Sequence, residues 1–287
     1  MPTSPYTTLI SAEQLQRALP DVFVADCSHE LADPAAGLRD YTSGHIPGAV
    51  HLHLDQHLSS QPSGRNGRHP LPDPTALAAD LAARGLQQGQ QVVAYDHSQG
   101  VYASRLWWML RWLGHAPVAV LDGGWQAWLA AAGPTQTETP AERPAGDFMS
   151  HPSLARFVQV DDVLGNLHHR QRLVVDARSP QRFRGEGETL DPKAGHIPEA
   201  VCHFYRDNLQ SNGCFKPVTD LRTEWLQLLG KHKPHEVVNQ CGSGVSACHN
   251  ILALEHVGLE GSLLYPGSWS EWCTDPTRPM VCEAHEG

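Results

Sequence analysis

The sequence predicts an α/β protein built from two copies of one domain, each an open parallel sheet flanked by helices. Three observations support this. The chain has 287 residues, a length that suits two domains of ordinary size. Short β-branched runs alternate with longer helical patterns, which is typical of parallel sheets with helices on both faces. Several segments also occur twice, in the same order.

The repeat is the strongest of these observations. Three pairs of segments match along the chain: 44–47 with 195–198, 92–96 with 237–241, and 123–128 with 267–272. The first pair reads Gly-His-Ile-Pro in both places, and the last pair carries two tryptophans three residues apart. Between the copies lies a stretch rich in Pro, Thr and Glu, which resists helix and strand and suits a linker. The predicted boundaries are 1–133 for the first domain, 134–150 for the linker and 151–287 for the second domain.

Each copy contains the same order of elements. In the first copy we predict strands at 22–25, 91–94 and 118–121, and helices at 75–84 and 102–112. In the second copy we predict strands at 173–175, 236–238 and 262–264, and helices at 221–229 and 245–256. The strands are continuous apolar runs, so they are expected to be buried on both faces of their sheet. Ligands of such folds bind at the carboxyl ends of the strands.

Composition limits the class of partner. Lys and Arg number 21 against 31 Asp and Glu, and the net charge of −10 argues against non-specific binding to nucleic acid or to an anionic membrane. No apolar stretch approaches the roughly 20 residues of a membrane-spanning helix, and the N-terminus lacks the features of a secretory signal. Seven cysteines without a CxxC pair indicate free thiols in a reducing cytoplasm. The pairs His51/His53, His168/His169 and His232/His235 lack ligand partners at metal spacing, so we expect surface histidines, no metal and no cofactor.

One cysteine occupies a special position. The strand pattern 237–240 ends in Cys241-Gly242-Ser243-Gly244-Val245-Ser246, and a helical pattern follows. The glycines allow successive backbone amides to face one centre, which would be the Cys241 sulfur. Those amides and the positive end of the following helix would stabilise a thiolate. The first copy has Asp96 at the equivalent position, so the fold itself does not require a cysteine there. We therefore predict that Cys241 is a nucleophile and that the first copy is catalytically inactive.

These residues resemble those of the two-domain rhodanese-type sulfurtransferases over nearly the whole chain. The similarity rests on the paired Gly-His-Ile-Pro segments, on Val-Asp-Ala-Arg at 175–178 followed by Arg182-Phe183, and on Gly-Ser-Trp-x-x-Trp at 267–272. The loop Cys-Gly-Ser-Gly-Val-Ser is similar to that of the members that use 3-mercaptopyruvate, whereas members that prefer thiosulfate carry cationic residues after the cysteine. The resemblance thus implies two tandem rhodanese-like domains and the mercaptopyruvate branch.

The resemblance also implies a mechanism. Cys241 would take a sulfur atom from a small anionic donor, form a persulfide, and pass the outer sulfur to a thiol, thioredoxin or cyanide. Ser243 and a first-domain histidine matching His45 would relay a proton to the departing pyruvate, in a site between the domains, with Asp40 or Asp33 as the carboxylate that could orient His45. The loop residues Gly242, Gly244, Val245 and Ser246 would contribute to substrate binding.

Arg182 matches the arginine that holds the anionic group of the substrate in this family. The mercaptopyruvate branch usually has a second arginine nine residues further on, but this sequence has Asp191 there. Lys193 is the candidate substitute, although a single ammonium does not reproduce a bidentate guanidinium. The choice between mercaptopyruvate and thiosulfate as the donor therefore stays open.

Two other interpretations were weighed. Phosphatases of related fold use a cysteine and an arginine spaced as C-x5-R, but the required position holds Ala247, so no arginine would clamp a phosphoryl group. A non-catalytic rhodanese pair acting as a binding module is the second alternative. The intact loop around Cys241 argues against it.

Overall fold

The computed structural model describes residues 4–138 and 143–283. The chain folds into two compact units, and each unit includes a short segment from the other half of the sequence. The first unit comprises Met1–Ser60, Pro72–Ala155 and Gln210–Phe215, and the second comprises Gln61–Leu71, Arg156–Leu209 and Lys216–Gly287. The described residues of the predicted linker, 134–150, lie within the first unit.

The first unit is a five-stranded parallel sheet with helices. Its strands are β1 Leu9–Ile10, β2 Phe23–Asp26, β3 Val50–His51, β4 Val92–Tyr95 and β5 Val118–Leu121. Its helices are α1 Ala12–Ala18, α2 Ala36–Ser43, α3 Pro74–Ala83, α4 Ala103–Trp112 and α5 Gly124–Ala130, with a 3-10 turn at Leu19–Asp21. The strand order is β1-β5-β4-β2-β3, and all these pairs are parallel.

The second unit repeats this arrangement. Its strands are β6 Arg156–Phe157, β7 Leu173–Asp176, β8 Val201–Cys202, β9 Val237–Gln240 and β10 Leu263–Leu264. Its helices are α6 Val160–His169, α7 Pro180–Arg184, α8 Val218–Leu229, α9 Ser246–His256 and α10 Ser268–Trp272, with 3-10 turns at Tyr205–Asn208 and Pro234–Glu236. The strand order β6-β10-β9-β7-β8 has the same pattern as that of the first unit, again with parallel pairs.

The predicted fold class is confirmed, and each predicted strand and helix overlaps an observed one. The sequence predicted neither helices α1, α2, α5, α6, α7 and α10 nor the strands β1, β3, β6 and β8. These four strands have two residues each. A strand of two residues cannot display the alternation or the apolar run by which a strand is recognised. Each of these short strands pairs with a neighbouring strand that the sequence does predict.

The central strands place the functional loop. All four residues of β4 and of β9 are buried. The apolar pattern of β4 predicts this burial, whereas β9 also buries the polar residues Asn239 and Gln240. Strand β9 lies between β10 and β7, so the chain leaves the sheet near its centre at residue 241. In the first unit, β4 lies between β5 and β2 and ends just before residue 96. Among the described residues, no helix combines the length and the apolar character needed to cross a membrane.

Candidate active site

Cys241 is held rigidly at the carboxyl end of β9. Cys241 is buried, with only 2% of its surface exposed. The backbone N–H of Cys241 donates to Oγ of Ser268 at 3.1 Å, and its carbonyl accepts the N–H of Trp269 at 3.0 Å. The next carbonyl, of Gly242, accepts the N–H of Ser270 at 2.8 Å. The first turn of α10 therefore fixes the backbone on which the predicted nucleophile sits.

Gly244 allows the loop to turn from the strand into α9. Its φ of +75° is in the left-handed region, and a Cβ at this position would lie 2.4 Å from the carbonyl oxygen of Pro266. Any other residue would clash with that backbone. Val245 precedes the first helical residue, Ser246, and Sγ of Cys248 contacts the carbonyl of Gly244 at 3.3 Å. The predicted loop-to-helix junction is confirmed, whereas the substrate contacts assigned to its residues stay a prediction.

A histidine that sequence reasoning missed lies beside the loop. His69 belongs to the segment 61–71, which packs as part of the second unit. Its Nδ1 atom lies 2.7 Å from Oγ of Ser243, and both residues are buried, with 6% and 5% exposure. A hydroxyl paired with an imidazole next to a cysteine can carry a proton to or from a bound substrate. Nothing in the local sequence around His69 signals this contact, because it depends on tertiary packing.

His45 is the histidine predicted to relay the proton. Its surroundings resemble those of His196, its counterpart in the second copy. Nδ1 of His45 lies 2.8 Å from the carbonyl of Tyr41, and the two rings stack at 4.0 Å. Nδ1 of His196 lies 2.8 Å from the carbonyl of Phe183, with the rings stacked at 3.8 Å. Both histidines also form an isolated antiparallel bridge, to Gln136 and Val281 respectively. The shared environment and the complete burial of His45 favour a structural role.

The two carboxylates considered for orienting His45 have other partners. Asp33 forms a surface ion pair with Arg39, and Asp40 lies 3.8 Å from Nδ1 of His97. The described hydrogen bond of the His45 ring is to a backbone carbonyl rather than to either carboxylate.

Arg182 is positioned by a short, well-capped helix. Oγ of Ser179 accepts the backbone N–H of Arg182, Pro180 occupies the first turn, and Gly185 ends α7 with a φ of +93°. The Arg182 side chain binds Glu188 through Nε at 3.1 Å and through Nη2 at 2.8 Å. Its Nη2 atom also lies 3.2 Å from Asp191. The Arg182 guanidinium, which is predicted to bind substrate, is thus held by the carboxylates of Glu188 and Asp191.

Both carboxylates are nearly inaccessible, with 3% side-chain exposure for Glu188 and 2% for Asp191. Burial acts to raise the pKa of Glu188, but the Leu190 amide and the Arg182 guanidinium outweigh it, so the pKa of Glu188 is lowered. Burial is the largest influence on the pKa of Asp191 and raises it. The neighbouring Glu188 also raises this pKa, whereas the Arg68 guanidinium lowers it but does not outweigh burial. The second position of the family arginine pair is therefore an acidic residue at the centre of an ion-pair network.

Lys193 takes part in the described structure through its backbone. Its carbonyl accepts the indole N–H of Trp269 at 2.8 Å, and the residue is exposed. No described contact of its ammonium supports the predicted substrate-binding role. That role stays a prediction.

Comparisons with known proteins identify the family of this chain. The sequence matches the rhodanese-like domain over residues 11–131 and again over 159–275. The chain belongs to the rhodanese family. It is 45% identical over 277 residues to a protein of Pseudomonas aeruginosa named "Probable 3-mercaptopyruvate sulfurtransferase", covering 95% of this chain and 97% of that one.

Two further relatives show the range of the family. A protein of Mycobacterium tuberculosis named "Putative thiosulfate sulfurtransferase SseB" is 35% identical over 278 residues, covering 95% of this chain and 96% of that one. The structure of 3-mercaptopyruvate sulfurtransferase from Leishmania major superposes with a TM-score of 0.83 at 29% identity, covering 95% of this chain and 75% of that one. The rhodanese resemblance deduced from the motifs is confirmed.

Comparison of the two rhodanese domains explains what Asp96 does. Its carboxylate accepts four backbone N–H groups, from Ser98, Gly100, Tyr102 and Ala103, at 2.7 to 2.9 Å. The N–H of Trp125 binds the Asp96 carbonyl at 3.0 Å, as that of Trp269 binds Cys241. The first rhodanese loop is therefore a ring of amide donors filled by the protein's own anion. The equivalent position of the second domain holds Cys241, and its loop reaches the matching Gly-Val pair one residue sooner.

Four of the other cysteines are held as thiols by their surroundings. Burial raises the pKa of Cys202 to about 12 and that of Cys273 to about 11. Burial also raises the pKa of Cys27 and Cys214. Since the thiolate is the reactive form, these residues are poor nucleophiles at neutral pH.

One histidine cluster departs from the sequence prediction. His53 was expected on the surface, but it is buried, and with His29 and Asp55 it forms a group whose potential ligand atoms lie within 4.8 Å of one another. Both ring nitrogens of His53 are already engaged: Nδ1 accepts the N–H of Asp55 at 3.1 Å and Nε2 lies 3.0 Å from the carbonyl of Pro34. A metal ligand needs a free ring nitrogen, so these contacts would have to break first.

Proposed function

We propose that this protein is a sulfurtransferase that moves sulfur from 3-mercaptopyruvate, through a persulfide on Cys241, to an acceptor. The observation that carries the proposal is the buried pair Ser243 and His69, 2.7 Å apart, two residues from the nucleophile. Similarity over nearly the full length to a relative named for this activity supports it.

The first half-reaction needs a proton to move. The Cys241 thiolate attacks the sulfur of mercaptopyruvate, an S–S bond forms, and the electrons of the C–S bond pass to C3 of the substrate. The proton of the substrate thiol must reach C3, where it completes the methyl group of pyruvate. Ser243 and His69 are placed to carry that proton, and we assign them this role in place of the pair Ser243 and His45.

The second half-reaction returns the enzyme to its starting state. A thiol acceptor attacks the outer sulfur, leaves as a persulfide and regenerates the Cys241 thiolate. Cyanide takes the same sulfur as thiocyanate, with no proton required. Thioredoxin or another thiol is the proposed acceptor class, and the sequence of two displacements predicts ping-pong kinetics.

The anion-binding loop suits both forms of the cysteine. In the first domain, equivalent amides already hold a carboxylate. We propose that the loop from Gly242 to Ser246 likewise stabilises the thiolate and then the persulfide, which carry the same charge. The amides need no proton movement to do so, unlike a titratable side chain.

Thiosulfate is the second candidate donor, supported by the name of the mycobacterial relative and by the acidic residue Asp191. The deciding experiment compares kcat/KM for mercaptopyruvate and thiosulfate, with cyanide as the acceptor. We expect mercaptopyruvate to be preferred by at least about tenfold, and Cys241→Ser to abolish turnover of both donors. A clear preference for thiosulfate would reverse the order of the two candidates, and turnover by Cys241→Ser would refute the persulfide.

A further inference from the structure

A second guanidinium, that of Arg68, lies close to the Cys241 loop, although it belongs to a segment without a recognised motif. Arg68 directly precedes His69 in the segment 61–71. Its backbone N–H donates to Oγ of Ser270 at 3.0 Å, and the preceding Gly67 has a φ of +83° and lies so close to Gly267 that a Cβ would be 2.7 Å from its carbonyl oxygen. The segment is thus fastened to the turn that also fixes Cys241.

Arg68 and Arg182 converge on one point. A Cβ on Gly242 would lie 3.0 Å from Nη2 of Arg68 and 3.4 Å from Nη1 of Arg182. Gly242 directly follows Cys241, so both guanidinium groups lie against the loop that carries the predicted nucleophile. A side chain at residue 242 would meet both groups, so the glycine permits their close approach to the loop.

Asp191 connects the two arginines. One of its carboxylate oxygens forms an ion pair with Nη1 of Arg68, and the other lies 3.2 Å from Nη2 of Arg182. Glu188 binds Nε and Nη2 of Arg182. The carboxylates thus bind Nη1 of Arg68 and Nε and Nη2 of Arg182. The nitrogens nearest to the Cβ position of Gly242 are Nη2 of Arg68 and Nη1 of Arg182, with Nη2 of Arg182 slightly farther away at 3.6 Å.

We propose that Arg68 is the second substrate-binding guanidinium of this site and that Asp191 is a positioning residue that holds both arginines. The proposal rests on the proposed function and specifies how the donor's anionic group is held. Two planar N–H edges facing one space suit a carboxylate such as that of mercaptopyruvate. In this proposal, the site keeps two guanidinium groups although Asp191 stands where the family usually has an arginine. Arg68 supplies the second guanidinium from another segment, and Asp191 orients it.

The test separates KM from kcat. Arg68→Ala should raise KM for mercaptopyruvate by about 10- to 100-fold, the range expected when a charged hydrogen-bonding partner of the substrate is lost. The kcat value should stay within about threefold, because the residue acts in binding rather than in bond breaking. Arg65→Ala is the matched control: it removes the same charge from the same segment at an exposed position, and KM should change less than about twofold.

Two variants keep the test decisive. Arg68→Lys preserves the charge, but one ammonium cannot bind Asp191 and face Gly242 together, so KM should still rise severalfold. Arg68→Ala leaves the buried Asp191 without its partner and could impair folding. The double variant Arg68→Ala/Asp191→Asn removes both charges and should fold while retaining the raised KM.

The outcomes distinguish this inference from the proposed function. If the wild-type protein does not turn over mercaptopyruvate, the proposed function fails. If the wild type is active but the folded Arg68 variants keep the wild-type KM, or if Arg65→Ala raises KM equally, the assignment of Arg68 is overturned.

Discussion

Nδ1 of His69 lies 2.7 Å from Oγ of Ser243, and both residues are buried beside Cys241 in the second compact unit. This contact links a segment of the first half of the sequence to the catalytic loop. In the proposed mechanism, these two side chains form the path of the proton.

The contact predicts a defect confined to one half-reaction. Ser243→Ala and His69→Asn should each slow persulfide formation from mercaptopyruvate by about 100-fold or more, the usual contribution of a positioned acid or base. Transfer from the preformed persulfide to cyanide moves no proton, so its rate should stay within about threefold of the wild type. Rapid-quench measurements of each half-reaction provide the comparison.

The double variant Ser243→Ala/His69→Asn should be little slower than either single variant, because residues that act as a unit are strongly non-additive. Equal slowing of both half-reactions would instead indicate that the pair only maintains the shape of the loop.

The repeat provides a matched pair for the role of His45. His45→Gln and His196→Gln each remove a buried ring that stacks on an aromatic residue and hydrogen-bonds a carbonyl. We expect each change to lower the free energy of unfolding by about 1 to 3 kcal/mol, with kcat of the folded protein within about threefold of the wild type. Chemical denaturation and steady-state assays measure the two effects. A loss of about 100-fold in kcat for His45→Gln alone would restore the catalytic assignment.

Asp96 is expected to stabilise the first domain without taking part in the reaction. In Asp96→Asn, the amide NH2 group would face backbone N–H donors that now bind a carboxylate oxygen. The variant should lose about 2 kcal/mol or more of stability, because buried donors are left unpaired. Asp33→Asn breaks only an exposed ion pair and should leave thermal unfolding almost unchanged. A neutral effect of Asp96→Asn on thermal unfolding would contradict the proposed role of the carboxylate.

The sequence predicted what is determined locally. The apolar run of β4, the two valines that begin β9 and the glycines around Ser243 predict a nucleophile at residue 241, because strand burial and turn formation depend on neighbours in the chain. The internal repeat then predicts that the first copy, which has Asp96 there, is inactive. These inferences needed no knowledge of which segments meet in space.

His69 and Arg68 could not be predicted in this way. They lie in a polar segment without hydrophobic periodicity, and their function depends on its packing against α10 through Gly67 and Ser270. The repeated Gly-His-Ile-Pro motif drew attention to His45 instead. The shared surroundings of His45 and His196 favour a role of this motif in folding, whereas the proposed proton relay is needed in only one domain.

The most direct test of the account is the mass of the peptide that carries Cys241 after incubation with mercaptopyruvate in the absence of an acceptor. We predict an increase of about 32 Da, one sulfur atom, on this peptide and on no other cysteine-containing peptide, and its loss when cyanide is added. Active enzyme in which Cys241 never gains the sulfur, or in which another cysteine carries it, would contradict the central claim.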